Sequence, residues 1–228
     1  MAVELAAVTV RYGHDMPPAI MDVSFCVPSG QRLALLGLNG SGKTTLLQAI
    51  SGLLAFEGKI TICGIELSSR TLGQVRSAIG MLFNVPEEQL LLPSVIDDVA
   101  FGAMARGLPR QQAYERAKTC LESLGISGLA NLSIHACSHG QKLLVALAGI
   151  LVCQPQVMLL DEPSAGLDPL AKRRLKSILA GLDATMLIAS HDLDFVDGLC
   201  TRSILLDNGR IAHDGDLGYI RRLWGCRP

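Results

Sequence analysis

The sequence predicts an α/β fold, built on a mainly parallel sheet with helices on both faces. Strand-length apolar runs alternate with helix-length segments from residue 32 to residue 189. Runs 33–36 and 157–160 are continuously apolar, as strands buried on both faces are. A glycine-rich loop joins the first of these runs to a helix.

Short β-type runs lie first at 8–10, 23–27 and 59–63, separated by turn residues. Strand 32–36 feeds the glycine loop, and the helix after it begins near Lys43 and ends at Gly52, a C-cap. From 94 to 124 the spacing is helical, with Pro109 ahead of the stretch 111–124. Helix 141–153, strand 157–160, helix 169–182 and strand 185–189 follow. Leu205-Leu206 and Arg210-Ile211 flank Asp207-Asn208-Gly209, a hairpin signal.

The 228 residues suit one domain, 1–228, with ample material for a core. A net charge of −1 gives no electrostatic reason to expect nucleic acid as a partner. Charged residues are only 18%, and the mean hydropathy of +0.36 points to a large core or to apolar surface covered by a partner. The longest apolar run, 143–153, is well short of the ~20 residues of a membrane-spanning helix. The N-terminus alternates like a strand and carries Glu4 early, unlike a signal peptide. Seven scattered cysteines without a CxxC pair suit a reducing compartment.

The strongest chemical signal is Gly37-Leu38-Asn39-Gly40-Ser41-Gly42-Lys43-Thr44. Its glycines let backbone N–H groups curl around phosphate oxygens, and the next helix points its positive end at them. Lys43 is expected to reach the β- and γ-phosphates, and the Thr44 hydroxyl to ligate Mg²⁺. Next comes 157–162, a buried strand ending in Asp161 and Glu162, at the edge where such folds place ligands. Asp161 is expected to hold Mg²⁺ and Glu162 to polarise the attacking water. His191 leaves strand 185–189 at that same edge, a candidate γ-phosphate contact. Tyr12, in a turn after the first strand, is a candidate for stacking on a base, beside the plainer option of a packed surface tyrosine.

Cys137-Ser138-His139-Gly140-Gln141 opens a long apolar helix. The turn is either an anion-binding helix end or an ordinary N-cap at Ser138. His135, Cys137 and His139 have metal-ligating types, but no further ligand converges on them in sequence.

These motifs, in this order, resemble the nucleotide-binding subunits of ABC (ATP-binding cassette) transporters, over residues 8 to about 215. The resemblance implies a P-loop NTPase (RecA-like) core, an antiparallel N-terminal β-subdomain, and an inserted helical subdomain at about 86–140. It assigns Tyr12 to adenine stacking, Gly37, Asn39, Gly40, Ser41, Gly42, Lys43, Thr44 and Thr45 to the nucleotide, and Leu159 to Glu162, with Asp161 and Glu162, to the Walker B strand. Asp168 falls in the D-loop, and His191 is the switch histidine. Ser138, His139, Gly140 and Gln141 stand where the family's LSGGQ signature meets the partner's ATP. Two positions depart. His139 replaces the first glycine, so a ring stands where backbone should approach the γ-phosphate unless it turns away. Asn84 replaces a glutamine after strand 79–83, one methylene shorter at an expected Mg²⁺ contact.

The implied activity is ATP hydrolysis coupled to transport, with ATP and Mg²⁺ as cofactors. The implied partners are a second ATPase subunit, a transmembrane coupling subunit and a substrate-binding membrane subunit, at the cytoplasmic face of the membrane. Segment 83–90, with Pro93-Ser94-Val95, 97–102 and Gln141-Lys142, resembles the ATPases of energy-coupling-factor importers of vitamins or cobalt and nickel ions. The competing expectations are the ATPase of another ABC transporter class and a non-transport or weakly active regulatory cassette.

Overall fold

The computed structural model describes residues 1–13 and 15–225. The chain opens with strands β1 (Val3–Val10), β2 (Ile20–Val27) and β3 (Arg32–Leu36), then helix α1 (Lys43–Ile50). Strands β4 (Glu57–Ile62) and β5 (Ile65–Glu66), helix α2 (Leu72–Ala78) and strand β6 (Ile79–Leu82) follow. A helical stretch comes next, with α3 (Val95–Ala105), α4 (Arg110–Ser123) and α5 (His139–Leu151). The chain then alternates through β7 (Val157–Asp161), α6 (Pro169–Gly181), β8 (Thr185–Ser190) and α7 (Leu193–Val196). It closes with the hairpin β9 (Arg202–Asp207) and β10 (Arg210–Gly215) and helix α8 (Leu217–Gly225).

Two sheets result. One is antiparallel, ordered β2-β1-β4-β5. The other is ordered β10-β9-β3-β8-β7-β6, parallel throughout except for the edge strand β10. Side chains on a strand alternate between its faces. Leu33, Leu35, Val157, Leu159, Leu187 and Ala189 therefore enter one core, shared with α1 and the antiparallel sheet. Ala34, Leu36, Met158, Leu160, Met186 and Ile188 enter the other, under α3, α4 and α5. The central strands separate two cores.

The helix expected at 141–153 starts at His139, because Ser138 caps it, and its regular turns stop at Leu151. Gly52, with φ +71, follows α1 as expected. Helix α2 was not expected from the sequence: it is seven residues long and buries only Val75 and Ala78, too few to set a period. No helix among the described residues is long and apolar enough to cross a membrane. The six described cysteines are free thiols, and Cys226 lies outside the described residues.

Candidate active site

Parallel pairing brings the site together. β3, β8 and β7 are neighbours, with Leu36 beside Ser190 and Asp161 beside Ala189. The loop after β3, Glu162 after β7 and His191 after β8 thus leave one edge of the sheet, where open α/β sheets bind ligands. Two glycines permit the tight loop. A Cβ at Gly37 would fall 2.3 Å from Ser41 Oγ and 2.7 Å from Leu206 O. One at Gly42, where φ is +103, would fall 2.6 Å from Ile20 Cδ1 and 2.9 Å from Ala19 O. No side chain caps α1, so its first N–H groups stay open.

Tyr12, Ala19, Asn39, Gly40, Ser41, Gly42, Lys43, Thr44, Thr45, Asn84 and Glu162 line a cavity of about 480 Å³. Tyr12 is exposed at its rim, with its hydroxyl 2.8 Å from Thr45 Oγ1. Lys43 is buried, and its Nζ donates to Gly37 O at 2.9 Å and Leu38 O at 3.3 Å. The same Nζ lies 3.2 Å from Glu162 Oε1. That contact is electrostatic rather than an aligned hydrogen bond, since Oε1 has no hydrogen-bond partner. Glu162 Oε2 lies 2.8 Å from His191 Nδ1 and accepts from His191 N at 3.3 Å. The backbone of Glu162 is left-handed, with φ +46, and its N–H is pinned to Ala189 O at 2.9 Å. A non-glycine residue held there is strained, as residues at working sites often are.

Asp161 is wholly buried; its Oδ2 accepts from Thr44 Oγ1 at 2.8 Å, and its Oδ1 has no partner. Burial pushes this carboxyl's pKa up; the Glu162 charge adds to that, while the Thr44 hydrogen bond and Lys43 oppose it. A hydroxyl beside a carboxylate with an orphaned oxygen is an all-oxygen donor set that fits a hard divalent cation.

Ser138, His139, Gly140, Gln141 and Asp168 do not reach this cavity. They line another, of about 380 Å³, with Leu143, Leu170 and Arg174. Ser138 is an N-cap with a capping box: Gln141 N donates to its Oγ at 3.3 Å, and Ser138 N donates to Gln141 Oε1 at 2.8 Å. Asp168 caps α6 by accepting from Leu170 N and Ala171 N. His139 turns toward its own chain, with Nε2 3.3 Å from Ala165 O. Two further links escaped the motifs: the carbonyls that hold Lys43, and an ion pair of Lys142 Nζ with Glu87 Oε1 at 3.1 Å. Carbonyl partners leave no signal in residue types, and Glu87 lies 55 residues from Lys142.

A glycine loop around a buried lysine, at the C-terminal edge of a parallel sheet, defines a P-loop nucleoside triphosphatase. The chain belongs to the ABC transporter family, whose profile matches residues 20–165. It is an ATPase subunit of a transporter. A Streptomyces avermitilis relative, provisionally named an ABC transporter ATP-binding protein, is 39% identical over 222 residues, 96% of this chain and 84% of the relative. The energy-coupling factor transporter ATP-binding protein EcfA of Methanocaldococcus jannaschii is 36% identical, over 93% of this chain and 78% of that protein. Among solved structures, cbiO1 from Clostridium perfringens, part of the ABC transporter complex cbiONQ, superposes with a TM-score of 0.87 at 33% identity, covering 97% of this chain and 90% of that one. The dimeric post-hydrolysis cassette MJ0796, bound to ADP and Pi, superposes at 0.85 with 26% identity, covering 94% and 98%.

Proposed function

We propose that this chain is one half of an ATP-sandwich dimer powering an importer of the energy-coupling-factor type. The observation that carries this is the linked set Lys43, Glu162 and His191, beside Thr44 and Asp161, at the sheet edge where Lys43, Thr44 and Glu162 line one cavity. Tyr12 stacks on the adenine, and the loop of Gly37, Asn39, Gly40, Ser41, Gly42 and Thr45 wraps the phosphates. Lys43 leaves Glu162 to pair with the β- and γ-phosphates. Thr44, Asp161 and Asn84 would hold Mg²⁺, which would supply charge neutralisation for the phosphates. Glu162 takes a proton from water, the water oxygen bonds to the γ-phosphorus, and the bond to the bridging oxygen breaks toward ADP. His191 keeps Glu162 aimed and contacts the γ-phosphate.

The partner subunit's site is completed by Ser138, His139, Gly140, Gln141 and Asp168 of this chain, and the reverse. Dimeric MJ0796 supports that arrangement. The chain acts as one unit over 1–228, with residues near 86–140 as its helical arm. It sits peripherally on the cytoplasmic face, against a transmembrane coupling subunit that serves a substrate-binding membrane subunit; cbiO1, as part of cbiONQ, supports this. The docking cleft lies between the 89–91 segment, α3 and α5, where Leu91 and Phe101 are exposed. EcfA and the 83–102 segment favour the energy-coupling-factor class over other transporters.

The test uses Glu162→Gln. The amide cannot take the water's proton, so turnover falls to near zero while ATP binding is retained. With ATP and Mg²⁺ the variant accumulates as a dimer on a sizing column. Normal hydrolysis by this variant would move the base elsewhere.

A further inference from the structure

We propose that His139 is a positioning residue, fastening the first turn of α5 to the loop 164–167 of its own chain so that both meet the partner as one body. This rests on the reading of 138–141 as the signature turn. The evidence is the ring's placement. Nε2 lies 3.3 Å from Ala165 O, and a carbonyl only accepts, so Nε2 carries the hydrogen. The ring lies close over Gly166: a Cβ there would come within 3.2 Å of Nε2 and 3.4 Å of Cδ2. A Cβ on Gly140 would lie 3.5 Å from Leu167 Cδ2, so the same turn meets the same loop at a second point. The loop leads back to the proposed base, because Ala165 N donates to Glu162 O at 3.0 Å.

The turn is also held from another side. Lys142, three residues on and therefore a neighbour of His139 on the helix surface, pairs with Glu87 at 3.1 Å. Glu87 belongs to the 84–92 segment beside the proposed docking cleft. A glycine at 139 would leave the Glu87 link and lose the one to Ala165.

A ring engaged on its own chain is turned away from the place where backbone must approach the partner's γ-phosphate, which removes the steric obstacle that the sequence suggests. Ordering two segments in advance removes entropy that closure would otherwise lose. The effect therefore falls on closure and turnover, while ATP binding in the chain's own cavity is untouched.

The experiment compares wild type with His139→Gly, His139→Gln and His139→Phe. Amide hydrogen exchange at Ala165 and Leu167 is followed in the full nucleotide-free chain. Losing one hydrogen bond opens the loop on the order of fivefold more often, so exchange in His139→Gly and His139→Phe rises by about that factor. His139→Gln places an amide donor near the position of Nε2 and stays near wild type. In the assembled transporter, kcat falls roughly three- to tenfold for the Gly and Phe variants and recovers with Gln, with ATP affinity of the separate chain unchanged. Unchanged exchange in His139→Gly overturns the proposal, as does loosened exchange with an unaltered or raised kcat. The underlying functional reading fails separately, if Lys43→Ala still binds ATP tightly. The exchange result does not depend on that outcome.

Discussion

Asp161 is a carboxylate wholly buried at the end of a strand, with one oxygen unsatisfied. Its raised pKa means that folding favours the neutral form. Its contribution to stability is therefore full below the unfolded value of about 3.9 and is lost as pH rises through the higher folded value. Once ionised, the buried group costs stability. Asp161→Asn removes that charge while leaving an acceptor for Thr44, so the nucleotide-free chain melts about 2–4 °C higher, as ~1 kcal/mol does in a chain of this size. The same variant loses Mg²⁺-dependent hydrolysis. Thermal melts without nucleotide or metal, paired with ATPase rates, check both halves. The residue types of this site were legible because Lys43, Thr44, Asp161, Glu162 and His191 sit at the ends of recognisable strands or in the glycine loop. The pairing of Lys43 with Glu162 was not legible, since motifs give an order along the chain and say nothing of which charges meet when phosphate is absent.

Among the elements, those with a long period were legible and those fixed by a few contacts were not. Strand β3 matched its expected bounds because its apolar run is bracketed by charge and glycine. Helices α2 and α7 are seven and four residues long, and such short turns are held by their neighbours rather than by a pattern of their own. Helix α5 shows a cap coinciding with the turn proposed as the signature. The box of Ser138 and Gln141 satisfies donors that its N-terminus would otherwise leave open. Ser138→Ala costs about 1 kcal/mol and lowers the melting temperature by about 2–4 °C. A urea titration of the isolated chain measures this, and an unchanged midpoint would mean that the cap is redundant in the folded protein.

For the whole molecule, two cores lie on opposite faces of one sheet, and the proposed docking cleft and the cavity at Lys43 fall on different parts of the surface. The face carrying α3, α4 and α5 leaves Phe101 43% and Leu91 68% exposed around a small cleft with Gln89, Asp98 and Ala146. Phe101→Asp places a charge in that cleft without touching the loop at Lys43. Co-purification with the membrane subunits is lost, and ATP binding by the separate chain stays within about twofold, as surface changes away from a site do. Loss of both would place the cleft in the folding core instead. The helices at 95–105 and 110–123 were legible from their spacing. Their exposed apolar residues were not, because helical periodicity marks a stripe without saying whether this chain or another covers it.

The contact between Lys43 and Glu162 has one more consequence. A carboxylate tethered 3.2 Å from the ammonium acts as an internal competitor, present at a fixed effective concentration that no dilution lowers. Any anion entering the loop must displace it. A lone phosphate offers one group against that tethered rival, whereas a triphosphate engages the lysine, the open helix end and Thr44 together. On the proposed assignment, small anions are therefore disfavoured in the loop, and Glu162 is freed for its proposed role as base only when a triphosphate binds.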